Sequence, residues 1–100
     1  MRPTTISDYP AAIVVFGMEG CPACEEYIPR FRQVAQAWGS RVPAFVVDAN
    51  AQPAAADFYK IENTPTTLVL RYGAVVGYPH IGAVNTAEID DIFRLAANWV

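Results

Sequence analysis

Positive charge is scarce in this chain. Lys and Arg together number 7 against 10 Asp and Glu, which gives a formal net charge of −3, and no cluster of basic residues occurs. Because nucleic-acid binding depends on basic patches, we expect no nucleic-acid partner. Charged residues make up only 17% of the chain and hydrophobic ones 53%, so a packed core is expected rather than disorder. A chain of this length predicts one domain over residues 1–100.

The sequence also lacks a long hydrophobic run. Its most apolar stretch, residues 11–18, ends at Glu19 and is too short to span a bilayer. Asp8 and Pro10 precede this stretch, and no small-residue cleavage pattern follows it, so a signal peptide is not expected. We therefore expect no membrane association and a cytoplasmic location, where a cysteine pair is more often catalytic or metal-binding than structural.

Apolar patterning predicts an α/β chain of four strands and three helices. The first strand is a continuous β-branched run, which indicates burial on both faces. The first two strands enclose a helix and should be parallel, whereas Tyr72-Gly73 predicts an antiparallel hairpin between the last two. Pro29 should kink the first helix, and residues 1–11 are expected to form one irregular turn. The predicted elements are strand 12–16, helix 22–38, strand 42–47, helix 53–59, strands 66–71 and 74–78, and a last helix capped by Asn85.

Two cysteines stand where the first strand gives way to the first helix, in the sequence Cys21-Pro-Ala-Cys24. At a helix start, Cys21 meets unpaired N–H groups and the positive end of the helix dipole, which stabilise a thiolate. The spacing puts Cys24 one turn further on, within reach to displace a mixed disulfide. Pro22 suits the first turn, where its missing N–H costs nothing. The motif predicts a redox-active disulfide in which Cys21 attacks and Cys24 resolves.

Three other interpretations of the cysteine pair compete with redox chemistry. A zinc site needs four ligands, and the chain offers only His80 as a further soft one, so carboxylates or a second copy would have to complete it. A structural disulfide closing so small a loop would stabilise little, and the two cysteines could also be unrelated and buried. The strand–turn–helix context favours redox chemistry. We expect no metal, and His80 is expected to be a solvent-facing strand residue.

Several segments then resemble one family. The sequence from Ile13 to Cys24 is similar to the first core strand and active-site turn of the thioredoxin superfamily, and the resemblance covers nearly the whole chain after residue 11. The other matching segments are Pro29 inside the first helix, Asn50-Ala-Gln-Pro53, Thr64-Pro65-Thr66, Arg71-Tyr-Gly73 and Ile81-Gly82-Ala83.

The resemblance implies a thioredoxin fold, a central mixed four-stranded sheet flanked by helices, here with a shortened N-terminal segment. It implies a cis Pro65 that sets its loop against the active-site sulfurs, and a Thr64 backbone that pairs with an extended substrate segment. No cofactor is implied. The residues expected to contact substrate are Gly20, Pro22, Ala23, Thr64, Pro65, Gly82 and Ala83.

The active-site turn departs from the usual thioredoxin pattern. Gly20 stands where thioredoxins usually carry tryptophan, and proline is the first residue between the cysteines, which is closer to glutaredoxins. Against a glutathione site, Gly82 is followed by Ala83 instead of a second glycine, and Asn85 occupies the place of an acidic residue.

Acidic residues are distributed unusually around the motif. Val15 occupies the place of the aspartate that thioredoxins bury behind the resolving cysteine, so an internal proton acceptor is missing. Glu25 and Glu26 follow the motif, with no Lys, Arg or His from Gly17 to Pro29. They complement the helix dipole, or they oppose ionisation of Cys21 and make the pair more reducing.

The sequence therefore predicts a protein-disulfide reductase that acts through Cys21 and Cys24. The expected partners are disulfide-containing client proteins and a thioredoxin reductase-type donor, with glutathione the less favoured donor, and the chain is expected to be a monomer. Two alternatives remain open at this stage. One is a glutathione-dependent enzyme of the glutaredoxin type, and the other is a thioredoxin-fold adaptor whose cysteines are incidental to binding.

Overall fold

A computed structural model describes residues 6–100. A 3-10 turn at Ile6–Asp8 precedes the first strand, in part of the segment expected to be one irregular turn. The remainder of that expectation, for residues 1–5, lies outside the described residues. None of the helices formed by residues 6–100 combines the length and apolar character needed to cross a membrane.

Within residues 6–100, four strands and three α-helices follow one another in the predicted order. The elements are β1 (Ala12–Gly17), α1 (Pro22–Trp38), β2 (Ala44–Asp48), α2 (Pro53–Phe58), β3 (Thr66–Arg71), β4 (Ala74–Ile81) and α3 (Thr86–Ala97). The sheet order is β2-β1-β3-β4. β1 is parallel to β2 and antiparallel to β3, and β3 is antiparallel to β4. The mixed four-stranded sheet and the predicted strand directions are confirmed.

The central strand β1 separates two hydrophobic cores. Side chains alternate across a strand, so Ile13 and Val15 face α1 and α3, whereas Val14 and Phe16 face α2. All six residues of β1 are buried, as its continuous apolar sequence predicts. On the larger side, Phe93 of α3 packs against Phe31 of α1. Burying each such ring stabilises the fold by about 1.5–3 kcal/mol, and this packing fixes α1 against the sheet.

β4 differs from its prediction at one end. It continues to Ile81 instead of ending at Tyr78, and the additional residues follow a bulge in the pairing with β3. Thr67 pairs with His80 and Val69 with Val76, so Leu68 alone on β3 lies opposite the segment 77–79 on β4. Gly77 takes a positive φ of 73°, and Pro79 lacks a backbone N–H. These two residues interrupt the alternation that predicts a strand.

The bulge also changes the expected position of His80. The prediction of a solvent-facing histidine is wrong, since only 14% of its side chain is exposed and its Nδ1 lies 3.0 Å from Oε2 of Glu88 on α3. The ring of Tyr78 packs against the His80 ring at 5.0 Å. His80 therefore joins the edge strand to the last helix.

Candidate active site

The two cysteines form a disulfide between the end of β1 and the start of α1. Their Cα atoms are 5.2 Å apart. Cys21 caps the helix in an extended conformation, and its Sγ accepts the backbone N–H of Cys24 at 3.1 Å. Pro22 occupies the first helical position, and Gly20 takes a positive φ of 78° that turns the chain into the helix. A helix-cap sulfur that accepts an N–H is stabilised as a thiolate.

The two sulfur-bearing residues differ in exposure. Cys24 is buried, with 2% of its surface exposed, whereas Cys21 is half-buried. Gly17 packs closely beside this residue: a Cβ there would lie 2.9 Å from Cδ1 of Ile28 and in ordinary contact, at 3.7 Å, with Sγ of Cys24. Cys21 can therefore be reached from solvent, whereas Cys24 is shielded by the packed helix.

Two loops form one wall beside Cys21, and we call this wall the loop side (Thr64, Pro65, Gly82 and Ala83). The Thr64 hydroxyl donates to Sγ of Cys21 at 3.5 Å, and the Thr64 carbonyl oxygen lies 3.5 Å from the same sulfur. The Thr64–Pro65 peptide bond is cis. The Gly82 N–H donates to the Pro65 carbonyl at 2.8 Å. The structure thus places Thr64 against Cys21 and joins Pro65 to Gly82, the residue before Ala83. Gly20, Pro22 and Ala23 lie in the turn and first helical residues around the disulfide.

Arg30 braces the loop side, a role that the sequence did not reveal. Its Nε and Nη2 donate to the Glu26 carboxylate at 2.9 and 2.8 Å, and its Nη1 donates to the carbonyl of Val84, just after Ala83. The hydrogen bonding of the Glu26 carboxylate to Arg30 holds the pKa of Glu26 below its usual range. A single side chain of α1 therefore fixes the loop that follows β4.

A buried hydroxyl pair lies between α1 and β3. Tyr27 and Thr67 are hydrogen-bonded through their hydroxyl oxygens at 2.8 Å. Burial raises the pKa of Tyr27, so its hydroxyl stays protonated at neutral pH. Thr67 pairs across the sheet with the fully buried Val15. This part of the site is therefore occupied by uncharged groups.

A cleft of about 320 Å³ lies beside the disulfide and shares no lining residue with the loop side. We call it the cleft side. It is lined by Met18, Glu19, Gly20, Cys24, Glu25, Ile28 and Pro29. A larger cleft of about 710 Å³ lies at the Tyr72–Gly73 turn, at the opposite end of β3, and contains none of the predicted site residues.

Within the part of the chain that the structure describes, no group of three or more His, Cys, Asp and Glu residues could hold a metal ion. His80, the further zinc ligand considered from the sequence, is paired with Glu88. The geometry around Cys21 and Cys24 is that of a dithiol–disulfide pair, with one accessible sulfur and one shielded sulfur.

Comparison with known proteins agrees with this geometry. The family model described as Thioredoxin matches residues 4–94. A Streptomyces coelicolor protein named "Putative thioredoxin 2" is 28% identical over 92 residues, which is 92% of this chain and 67% of that protein.

Solved structures show the same fold. Oxidised thioredoxin from Plasmodium falciparum superposes with a TM-score of 0.78 at 24% identity, covering 91% of this chain and 86% of that one. Reduced Schistosoma mansoni thioredoxin gives a TM-score of 0.77 at 23% identity, with 88% of this chain and 80% of that one covered.

Proposed function

The chain belongs to the thioredoxin family, and from this membership we propose that it reduces disulfide bonds of client proteins by dithiol exchange through Cys21 and Cys24. Family membership and the cysteine pair support a thiol–disulfide oxidoreductase. We further propose that the reaction runs toward reduction of the client and that the clients are proteins.

The reaction proceeds in two exchanges. The Cys21 thiolate attacks one client sulfur, the client S–S bond breaks, and the released client thiolate takes up a proton. A Cys21–client mixed disulfide results. Cys24 then loses its proton and attacks Sγ of Cys21, which releases the second client thiol and forms the Cys21–Cys24 disulfide. Two electrons and two protons pass from the dithiol to the client, and an external dithiol donor restores the starting state.

One observation carries this proposal, namely the position of the Cys21 sulfur. It caps α1, accepts the Cys24 N–H at 3.1 Å and belongs to a half-buried residue, whereas Cys24 is 2% exposed. Stabilised thiolates with access to solvent are the reactive cysteines of proteins. On the loop side, the backbone of Thr64 is the proposed pairing partner for an extended client segment.

The proposal extends to the donor and the setting. We favour a thioredoxin reductase-type donor over glutathione, because Ala83 and Asn85 replace groups that a glutathione site would use. The Cys-Pro-x-Cys turn after Gly20 supports glutathione as the second candidate. We propose that the protein acts as a monomer in the reducing cytoplasm, where a permanent disulfide would not persist.

Insulin reduction followed by turbidity tests this function. The protein should accelerate precipitation with thioredoxin reductase and NADPH as donor, and it should do so less well with glutathione and glutathione reductase. Replacement of Cys21 by Ser should abolish the acceleration. Faster turnover with glutathione would make the enzyme glutaredoxin-like, and no reduction with either donor or with dithiothreitol would favour the adaptor alternative.

A further inference from the structure

The charged residues that line the cleft side are both acidic. Glu19 and Glu25 are exposed on the cleft side, and Asp48 at the end of β2 pairs in register with Gly17, one residue before Met18. Within residues 6–100, neither the Glu19 nor the Glu25 carboxylate takes part in an ion pair or a hydrogen bond. The nearest basic residue along the chain, Arg30, is already held by both oxygens of Glu26.

The same cleft has an apolar lining. Met18 is 38% exposed, and it lines the cleft together with Ile28 and Pro29. A volume of about 320 Å³ is at the lower end of the range for ligand pockets, which suits one or two side chains of a partner. Methionine adapts to side chains of different shape, so this surface does not require a unique residue.

The cleft is continuous with the site of reaction. It includes Gly20, the residue before Cys21, and Cys24, the disulfide partner of Cys21. The residues that flank a client cysteine joined to Sγ of Cys21 are therefore within reach of the cleft. The loop side offers backbone groups and small residues without charge, so selection by charge falls to the cleft side.

We propose that the cleft side selects client disulfides flanked by a lysine or arginine, a preference that rests on the proposed function and specifies its substrate class. The aliphatic stem of such a residue packs on Met18 and Pro29, and its charged head reaches the carboxylates of Glu19 and Glu25. Two exposed ion pairs and long-range attraction in low salt predict a preference of about threefold to tenfold in exchange rate. Acidic flanking residues are disfavoured for the same reason.

Three model disulfides test the proposal. They are peptides identical except that the residues beside the cysteine are Lys, Gln or Glu. Stopped-flow measurement gives the second-order rate constant of the reduced protein with each peptide at low and high salt. Dividing each constant by that of a small neutral thiol removes the intrinsic reactivity of the peptide. The corrected order should be Lys, then Gln, then Glu, and salt should compress it.

Matched variants locate the selectivity. The double variant Glu19→Gln/Glu25→Gln should lose most of the Lys-over-Glu preference. The double variant Asp57→Asn/Asp91→Asn changes the net charge equally at exposed positions on α2 and α3 and should keep the preference. Because one nucleophile attacks all three peptides, a changed pKa of Cys21 cancels from the ratio.

The outcomes separate this inference from the function beneath it. Equal corrected rates for the three peptides, or a preference that survives in Glu19→Gln/Glu25→Gln, would overturn the substrate preference and leave the reductase activity standing. Failure to reduce any of the peptides would overturn the proposed function, and the preference with it.

Discussion

The two walls of the disulfide are built in opposite ways. The loop side comes from residues distant in sequence, offers mainly backbone groups and contacts the sulfur of Cys21 through Thr64. The cleft side comes almost entirely from residues 18–29, offers side chains and includes Cys24. A backbone wall can accept many sequences, because every residue except proline carries the same backbone N–H and C=O. The proposed discrimination between clients is therefore assigned to the wall that presents side chains.

The largest expected effect is the difference in reactivity between the thiols of Cys21 and Cys24. In the reduced protein, iodoacetamide at neutral pH should modify Cys21 more than about tenfold faster than Cys24, because a capped, accessible thiolate reacts and a buried thiol does not. Mass spectrometry of partially modified protein measures both rates. Equal rates, or faster modification of Cys24, would reverse the assignment of nucleophile and resolving cysteine.

The same assignment has a trapping test. A Cys24→Ser variant should accumulate mixed disulfides with insulin, because the second exchange cannot occur. The Cys21→Ser variant should accumulate none, and non-reducing gels distinguish the two. Mixed disulfides that form only in Cys21→Ser would place the attack at Cys24.

Removal of the Arg30 brace should loosen the loop side alone. In Arg30→Met, the carbonyl of Val84 loses its charged donor, and the free energy of unfolding should fall by about 1–2 kcal/mol. The KM for insulin should rise several-fold with little change in kcat, because Arg30 holds the loop at Val84, beside the proposed client-binding wall, and makes no hydrogen bond to either sulfur.

Arg94→Met is the matched control for Arg30→Met. It also removes an arginine with an i,i+4 partner, Asp90, but on the exposed face of α3. An exposed pair contributes only about 0–1 kcal/mol, and KM should not change. Equal KM values for the two variants would show that Arg30 contributes to stability alone.

A smaller change is expected on the cleft side from Gly17→Ala. The new Cβ would meet Cδ1 of Ile28 at 2.9 Å, so the end of that side chain must move within the cleft lining. Because the obstructing atom is the end of a flexible side chain, we expect a loss of about 1 kcal/mol and a weaker Lys-over-Glu preference. Thermal unfolding and the peptide series measure the two effects. An unchanged preference would mean that Ile28 does not shape the cleft.

The smallest expected effect concerns the pKa of Cys21. The sequence-based expectation that Glu25 and Glu26 both act without an opposing charge is wrong for Glu26, because Arg30 pairs with it. Glu25→Gln should lower the pKa of Cys21 by a fraction of a unit and raise the reduction potential by less than about 30 mV. Thiolate absorbance and equilibration with glutathione measure these changes.

A charge-balanced variant is the control for Glu25→Gln. Glu26→Gln/Arg30→Met removes one charge of each sign and should leave the pKa of Cys21 nearly unchanged. A higher pKa of Cys21 in Glu25→Gln would contradict the argument that the Glu25 carboxylate opposes ionisation of Cys21.

Features that depend on residues close in sequence could be predicted, and features that depend on residues far apart in sequence could not. β1, α1 and the cysteine turn are specified by local signals, namely an apolar run, Pro22 and the spacing of the two cysteines, and these were predicted within one or two residues. The Arg30–Val84 hydrogen bond joins residues 54 apart. No local pattern indicates it, because an arginine on the polar face of a helix usually points to solvent.

Two further features escaped prediction for a similar reason. The bulge in β4 shifts His80 against Glu88, and alternation of residue type cannot anticipate a shift in register. The cleft side consists of residues visible in the motif region, such as Glu25 and Pro29, but its cavity exists only because α1 packs beside Met18. In both cases the residue types were available, and their arrangement depended on tertiary packing.

The bulge in β4 also bears on how the protein behaves when crowded. β4 is an outer strand of the sheet, and outer strands template the addition of further strands from other molecules. The interruption at Gly77 and Pro79 leaves a foreign strand only a short regular stretch on either side. Tyr78 and Ile81 are 72% and 61% exposed on this strand, so their apolar surface meets solvent without a continuous ladder to recruit neighbours. The bulge that made the position of His80 unpredictable from sequence thus also opposes the addition of strands from other molecules to this edge of the sheet.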